Sequence, residues 1–144
     1  MKKSLTLLLC LAYASPAAAW EFTPGTPCLL THETPEVAIK LTYDPTQPFY
    51  SIALTQMTPF TPAPVFAMRF DGAMPISIAT DRHLMSADNL TVSASDSSFG
   101  NVLNGLQFNL TATATLGDQT INIPLDGAAE PVAAFRACET VATS

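Results

Sequence analysis

The residues best able to do chemistry are the histidines and their acidic neighbours: His32 beside Glu33, and His83 close to Asp81. Imidazole and carboxylate groups together are common zinc ligands. On an extended strand, Asp81 and His83 would point to the same side and could share an ion, whereas the adjacent His32 and Glu33 would point to opposite sides. His32 would join Asp81 and His83 only if the fold brought the three together. The pattern His-Glu-x-x-His is absent, so we favour turn and surface roles and predict no metal site.

Motifs for other catalytic chemistry are also missing from the sequence. It contains no Gly-x-Ser-x-Gly nucleophile turn, no phosphate-binding loop and no Gly-x-Gly-x-x-Gly dinucleotide motif. Glycan hydrolysis depends on two carboxylates that converge in space, and twelve acidic residues leave that alternative open. We therefore predict no catalytic residue and no cofactor, and keep a glycan hydrolase as the second hypothesis.

The least generic stretch of the chain is residues 98–108, which combines two glycines, two asparagines and aromatic residues near both ends. Asn101 and Asn104 could line a polar pocket for a sugar or a peptide, with Phe99 or Phe108 as an apolar wall. Alternatively, the apolar side chains anchor a connector while glycine and asparagine shape its bends, and we favour this interpretation. The candidate ligand-binding residues are Asn101, Asn104, Asp81 and His83.

The N-terminus has the pattern of a secretory signal peptide over residues 1–19. Lys2 and Lys3 precede an apolar run, and Ala17–Ala19 forms a small-x-small cleavage site. Removal would leave four basic and twelve acidic residues, a net charge of −8. We predict a periplasmic or secreted protein with no membrane span after cleavage. An acidic chain repels phosphate backbones, so we expect no nucleic-acid partner.

The remaining residues, 20–144, are predicted to form a single β-rich domain with one core. Cys28 and Cys138 would be its only cysteines, and in an oxidising compartment we expect them to pair. A redox pair or a two-thiol metal site is less favoured, because the close Cys-x-x-Cys spacing and further ligands are missing.

Apolar and polar residues alternate in several segments, which is typical of half-buried strands. We predict hairpins over residues 36–54, 65–80 and 109–125, a further strand over 89–94, and two short helices over 98–106 and 130–138. With seven or eight strands, the predicted fold is all-β with minor α: a small antiparallel β-sandwich or barrel with one or two short helices and one disulfide.

A resemblance rests on Cys28 and on six runs of the sequence: 20–25, 31–34, 66–72, 80–83, 99–108 and 124–138. These are similar to the corresponding runs of a family of small uncharacterised exported proteins of alphaproteobacteria. The similarity covers nearly the whole predicted mature chain and implies a periplasmic setting, but it brings no activity or catalytic residues. Proteins of this kind are sometimes labelled as a DNA-repair excinuclease component, which disagrees with an acidic, short chain that has no phosphate-binding loop.

Export, acidity and the missing catalytic motifs together favour a periplasmic, non-enzymatic binding or interaction module on a disulfide-linked β scaffold. Its expected partner is an envelope protein or a glycan. The competing hypothesis remains an envelope glycan hydrolase that uses paired carboxylates.

Overall fold

The computed structural model describes residues 19–141, and the side chains of residues 19–138. Except for Ala19, the predicted signal peptide lies outside the described residues. Within them are ten strands and two helices: β1 (Glu21–Thr23), β2 (Cys28–Glu33), β3 (Ala38–Asp44), β4 (Phe49–Thr55), β5 (Phe66–Gly72), β6 (Ile76–Thr80), β7 (Leu84–Met85), β8 (Thr91–Asp96), α1 (Gly100–Phe108), β9 (Asn109–Leu116), β10 (Gln119–Pro124) and α2 (Ala129–Val141).

The strands form two antiparallel sheets. A six-stranded sheet has the order β1-β2-β3-β4-β8-β7, and a four-stranded sheet has the order β10-β9-β5-β6. Alternate side chains of each sheet are buried: Ile39 and Leu41 flank the exposed Lys40 in β3, and Phe66 and Met68 are the buried positions at the start of β5. The buried faces of both sheets meet in one hydrophobic core. The predicted β-sandwich, with two short helices, is confirmed.

The three predicted hairpins are present as β3-β4, β5-β6 and β9-β10. Two glycines lie where their strands end: Gly72 is the last residue of β5, and Gly117 directly follows β9. Gly72 and Gly117 both have positive φ, at 155° and 59°, which glycine adopts without steric cost. The predicted single strand is β8, and both predicted helices form close to their expected bounds.

Helix α2 is held to the six-stranded sheet by the predicted disulfide between Cys28 in β2 and Cys138, which is confirmed. Val132 and Phe135 are 0% and 1% exposed and face the core, as their spacing predicts. The Phe135 ring lies 6.2 Å from that of Tyr50 in β4. Neither described helix has the length and apolar character needed to cross a bilayer.

Helix α1 packs unusually close to β5. At Gly105, a Cβ atom would lie 2.4 Å from the ring of Phe70, which is fully buried. The end of the helix is fixed by Asn109, whose side chain accepts a hydrogen bond from the Met74 amide and donates to the carbonyls of Met74 and Gly105. These contacts set the position of α1 against the β5-β6 hairpin.

Candidate functional site

A cleft of about 330 Å³ lies between residues of β6 and β8, which belong to different sheets. Its floor is apolar and consists of core side chains, with Phe66, Met68 and Phe99 at 4%, 3% and 6% exposure. One end is formed by the first turn of α1 and the residues that precede it. The volume is at the lower end of the range of about 300–1,000 Å³ for small-molecule pockets.

The cleft arises because the sandwich is incomplete at this side. In β6, the inward-facing Ile76 and Ile78 are only half-buried, whereas their partners in β5 are buried. The opposing strand β8 presents the small side chain of Ala94, and β7 pairs with β8 only at Val92 and Ser93. Apolar surface of the core therefore borders an opening that neither sheet covers.

Polar groups lie at the rim of this cleft, and one of them is charged. Asp96, the last residue of β8, is its only carboxylate among the described lining residues. Its Oδ1 accepts hydrogen bonds from the amides of Ser97, at 2.6 Å, and Ser98, at 3.4 Å. No hydrogen bond or ion pair between described residues engages its Oδ2. Asp96 is thus a fixed, exposed anion beside an apolar floor.

Asn101 and Asn104, both predicted as ligand-binding residues, are separated by the geometry of α1. Asn101 is exposed and lines the cleft. Asn104 instead accepts a hydrogen bond from the guanidinium of Arg136 in α2. This bond joins the two helices, so Asn104 has a structural contact and does not line the cleft.

A second, smaller depression of about 280 Å³ lies beside the first and shares Ser98, Phe99 and Gly100 with it. Arg136 lines this depression, and its Nε is buried without a hydrogen-bond partner in the described part of the chain. Phe99 therefore borders both the cleft that carries Asp96 and a depression that carries a guanidinium.

Asp81 and His83 lie in the connection between β6 and β7, and neither lines the cleft. Asp81 is exposed, while the half-buried His83 forms a 2.9 Å hydrogen bond between its Nε2 and the Ala63 carbonyl. His32 is buried in β2, where its ring stacks on Trp20 with a centroid distance of 4.6 Å. Between residues 19 and 138, no three His, Cys, Asp or Glu side chains form a group that could hold a metal ion.

The prediction that the apolar side chains of residues 98–108 anchor this segment is confirmed for most of them and is wrong for Phe108. Phe99, Leu103 and Leu106 are 6%, 4% and 1% exposed and anchor α1. Phe108 is 43% exposed, because the helix ends there and the next residue, Asn109, occupies the buried position. Asn109 is a buried polar residue that makes three hydrogen bonds, and no local sequence pattern marked it.

The cleft residue that sequence reasoning missed is Asp96. A signal was present, since Asp-Ser-Ser after a strand is typical of a turn in which the aspartate accepts amide hydrogen bonds. Two aspartates elsewhere in the chain have a lowered pKa. Hydrogen bonds from the Thr46 hydroxyl and amide lower the pKa of Asp44, and those from the Ser86 hydroxyl and Leu90 amide lower the pKa of Asp88.

Comparison with protein-family models, with curated proteins and with solved structures finds no match for this chain. The cleft and its neighbouring charges therefore carry the functional argument.

Proposed function

We propose that this protein is a periplasmic, non-enzymatic binding module, and that its ligand inserts an apolar group into the cleft between β6 and β8. The observation that carries the proposal is the apolar cleft, whose accessible surface comes from the half-buried Ile78 and Ala94 beside the buried Phe66 and Met68. Covering such surface gains roughly 25 cal/mol per Å² removed from water.

The location outside the cytoplasm is supported by two features. The N-terminal pattern predicts export. The disulfide between Cys28 and Cys138 is of the kind that persists in oxidising compartments. The resemblance to exported alphaproteobacterial proteins agrees with the same setting.

The number of carboxylates at the cleft favours binding of a ligand over hydrolysis of a glycan. Glycoside hydrolysis generally uses two carboxylates that flank the scissile bond. Among the described residues that line the cleft, Asp96 alone supplies one. A polypeptide is favoured over a sugar as the ligand, because Phe66 and Phe99 are at most 6% exposed and offer almost no ring surface for a sugar to stack on.

The proposal is tested by filling the cleft from β8. Ala94 lines the cleft, while Ala53, on the adjacent strand β4, faces the opposite side of the same sheet. Ala94→Phe and Ala53→Phe are therefore the same chemical change on opposite faces. The probe is the neutral apolar dye Nile red, with binding followed by fluorescence and by NMR shifts of cleft amides.

We expect wild-type protein and Ala53→Phe to bind the dye with shifts at Ile78 and Asn101, and Ala94→Phe to bind at least about tenfold more weakly, because the new ring would occupy the cleft. Equal binding by both variants, or no binding by the wild type, would show that the cleft is not a binding site. Thermal unfolding of both variants establishes that each is folded before its affinity is compared.

A further inference from the structure

Strand β6 is an unprotected edge of the four-stranded sheet. It pairs with β5 over five positions, from Phe66↔Thr80 to Phe70↔Ile76, and no described strand pairs with its other side. Natural edge strands are usually shielded by charged side chains, proline or β-bulges. The sequence of β6, Ile-Ser-Ile-Ala-Thr, contains no charge and no proline, and its register with β5 has no bulge.

The two edges of the four-stranded sheet differ in how much apolar side-chain surface they expose. Strand β10 is also an edge, but its inward-facing Ile121 and Ile123 are 6% and 1% exposed. In β6 the equivalent Ile76 and Ile78 are half-buried. A strand added to β10 would gain only backbone hydrogen bonds, whereas one added to β6 would also cover apolar surface.

The six-stranded sheet is open at the same cleft. Strand β8 continues through Asp96, while β7 pairs with it only at Val92 and Ser93. Residues 94–96 of β8 therefore have an edge that no described strand pairs with, and they line the same cleft as Ile78 and Thr80 of β6. An extended segment that enters here lies between two strand edges, with alternate side chains directed at the apolar floor.

The charge at the rim selects the kind of segment. Asp96 is the single charged residue among the described lining residues, and its Oδ2 has no partner there. The whole chain is acidic, with a net charge of −6. A lysine or arginine in the incoming segment would complement Asp96, whereas an acidic segment would be repelled.

We propose that the occupant of the cleft is an extended peptide segment that adds to β6 as a further strand, inserts an apolar side chain over the cleft floor, and places a lysine or arginine beside Asp96. This inference rests on the proposed function and names its partner. Peptide recognition by strand addition takes affinity from main-chain hydrogen bonds and specificity from pockets for alternate side chains. A five-residue edge accommodates about 17 Å of such a segment.

The probe is a seven-residue peptide of alternating valine and threonine with one terminal lysine, labelled for fluorescence anisotropy. Two further peptides carry N-methyl groups on alternate residues. The first is methylated along one edge of the extended peptide and the second along the other, so that the amides of the methylated edge cannot donate hydrogen bonds to a strand. We expect the parent peptide to bind, and one methylated peptide to lose at least about tenfold in affinity while the other retains it. Equal binding of all three, or no binding by parent peptide at a concentration of about 1 mM, would overturn strand addition.

Amide hydrogen exchange locates the added strand. We expect the peptide to increase protection at residues 76–80 of β6 and not at residues 119–124 of β10, the matched edge. Peptide binding without added protection at β6 would contradict the proposal. Protection of β6 that rises with protein concentration in the absence of peptide would show that a second copy occupies the edge, which also overturns it.

The charge requirement is tested with Asp96→Asn, which keeps the oxygen that caps Ser97 and removes the charge. We expect it to weaken binding of the lysine peptide by up to about fivefold, the effect of one exposed ion pair. Asp118→Asn, in the β9-β10 turn, is the control and should leave affinity unchanged. Equal effects of the two variants would refute the role of Asp96.

Dye binding that Ala94→Phe abolishes, without any peptide binding, would reject strand addition and leave the proposed function standing.

Discussion

Replacing Gly105 by alanine tests the close packing that positions α1 beside the cleft. The new Cβ would lie 2.4 to 2.6 Å from three carbons of the Phe70 ring. The optimal separation of such carbons is about 3.5–4.0 Å, so the overlap is about 1 Å. Because Phe70 is fully buried and cannot swing into solvent, α1 or β5 must move.

The size of the expected change in the free energy of unfolding follows from two opposing effects of the substitution. Overpacking a filled core costs about 1–3 kcal/mol, and an overlap of this size against a buried ring belongs at the upper end. Alanine is favoured over glycine within a helix by about 0.8–1.0 kcal/mol. We therefore expect Gly105→Ala to lower the free energy of unfolding by about 2 kcal/mol, measured by urea denaturation of the oxidised protein.

Gly100→Ala is the matched control for this substitution. It lies in the same helix, and a Cβ there would meet no atom within 4 Å. We expect its stability to equal or slightly exceed that of the wild type. Phe70→Leu supplies a second check, because removal of the ring should reduce the cost of Gly105→Ala in a double-mutant cycle. The packing argument would be refuted if Gly105→Ala were as stable as Gly100→Ala. It would also be refuted if Gly105→Ala lowered the free energy of unfolding equally in the wild-type and Phe70→Leu proteins.

Two further predictions concern the disulfide and acid stability. Removal of the link between residues 110 positions apart, by Cys28→Ala with Cys138→Ala, should lower the free energy of unfolding by about 2–5 kcal/mol, and a loss below about 1 kcal/mol by urea denaturation would contradict this. Hydrogen bonds lower the pKa of Asp88 in the folded state. The contribution of the ionised Asp88 side chain to the free energy of unfolding is therefore complete above the pKa of the unfolded state, and it is lost as the pH falls through the pKa of the folded state. Asp88→Asn should therefore lose less stability than the wild type on acidification below about pH 4, and identical acid transitions would disprove the assignment.

The parts of the fold that could be predicted from sequence depend on neighbours along the chain. Alternation of apolar and polar residues identified the buried face of β3 and β5 and the strands of the three hairpins. Strands β1, β2 and β7 were not predicted. Two or three residues show no period in β1 and β7, and in β2 the buried positions include His32, which does not mark an apolar face. Strands β1 and β7 form because longer strands, β2 and β8, offer them a partner.

The candidate site was predicted only in part because it is non-local. Asn101 was selected for its amide in an unusual segment, and it does line the cleft. Asn104, three positions later, faces a different neighbour, Arg136, whose proximity depends on how the two helices pack. Asp81 and His83 formed a pair by spacing, but the chain crosses between the sheets at that point, and His83 turns to the Ala63 carbonyl.

The cleft is informative because two kinds of surface meet there that proteins usually avoid exposing. An uncharged strand edge invites aggregation, and a half-covered core forfeits burial that a longer β7 could supply. The same sheet shows the alternative in β10, whose Ile121 and Ile123 are covered and which ends in Pro124. The proposed binding role would account for the difference, since the segment that completes β6 would then come from the partner, and Asp96 would help to exclude segments of the wrong charge.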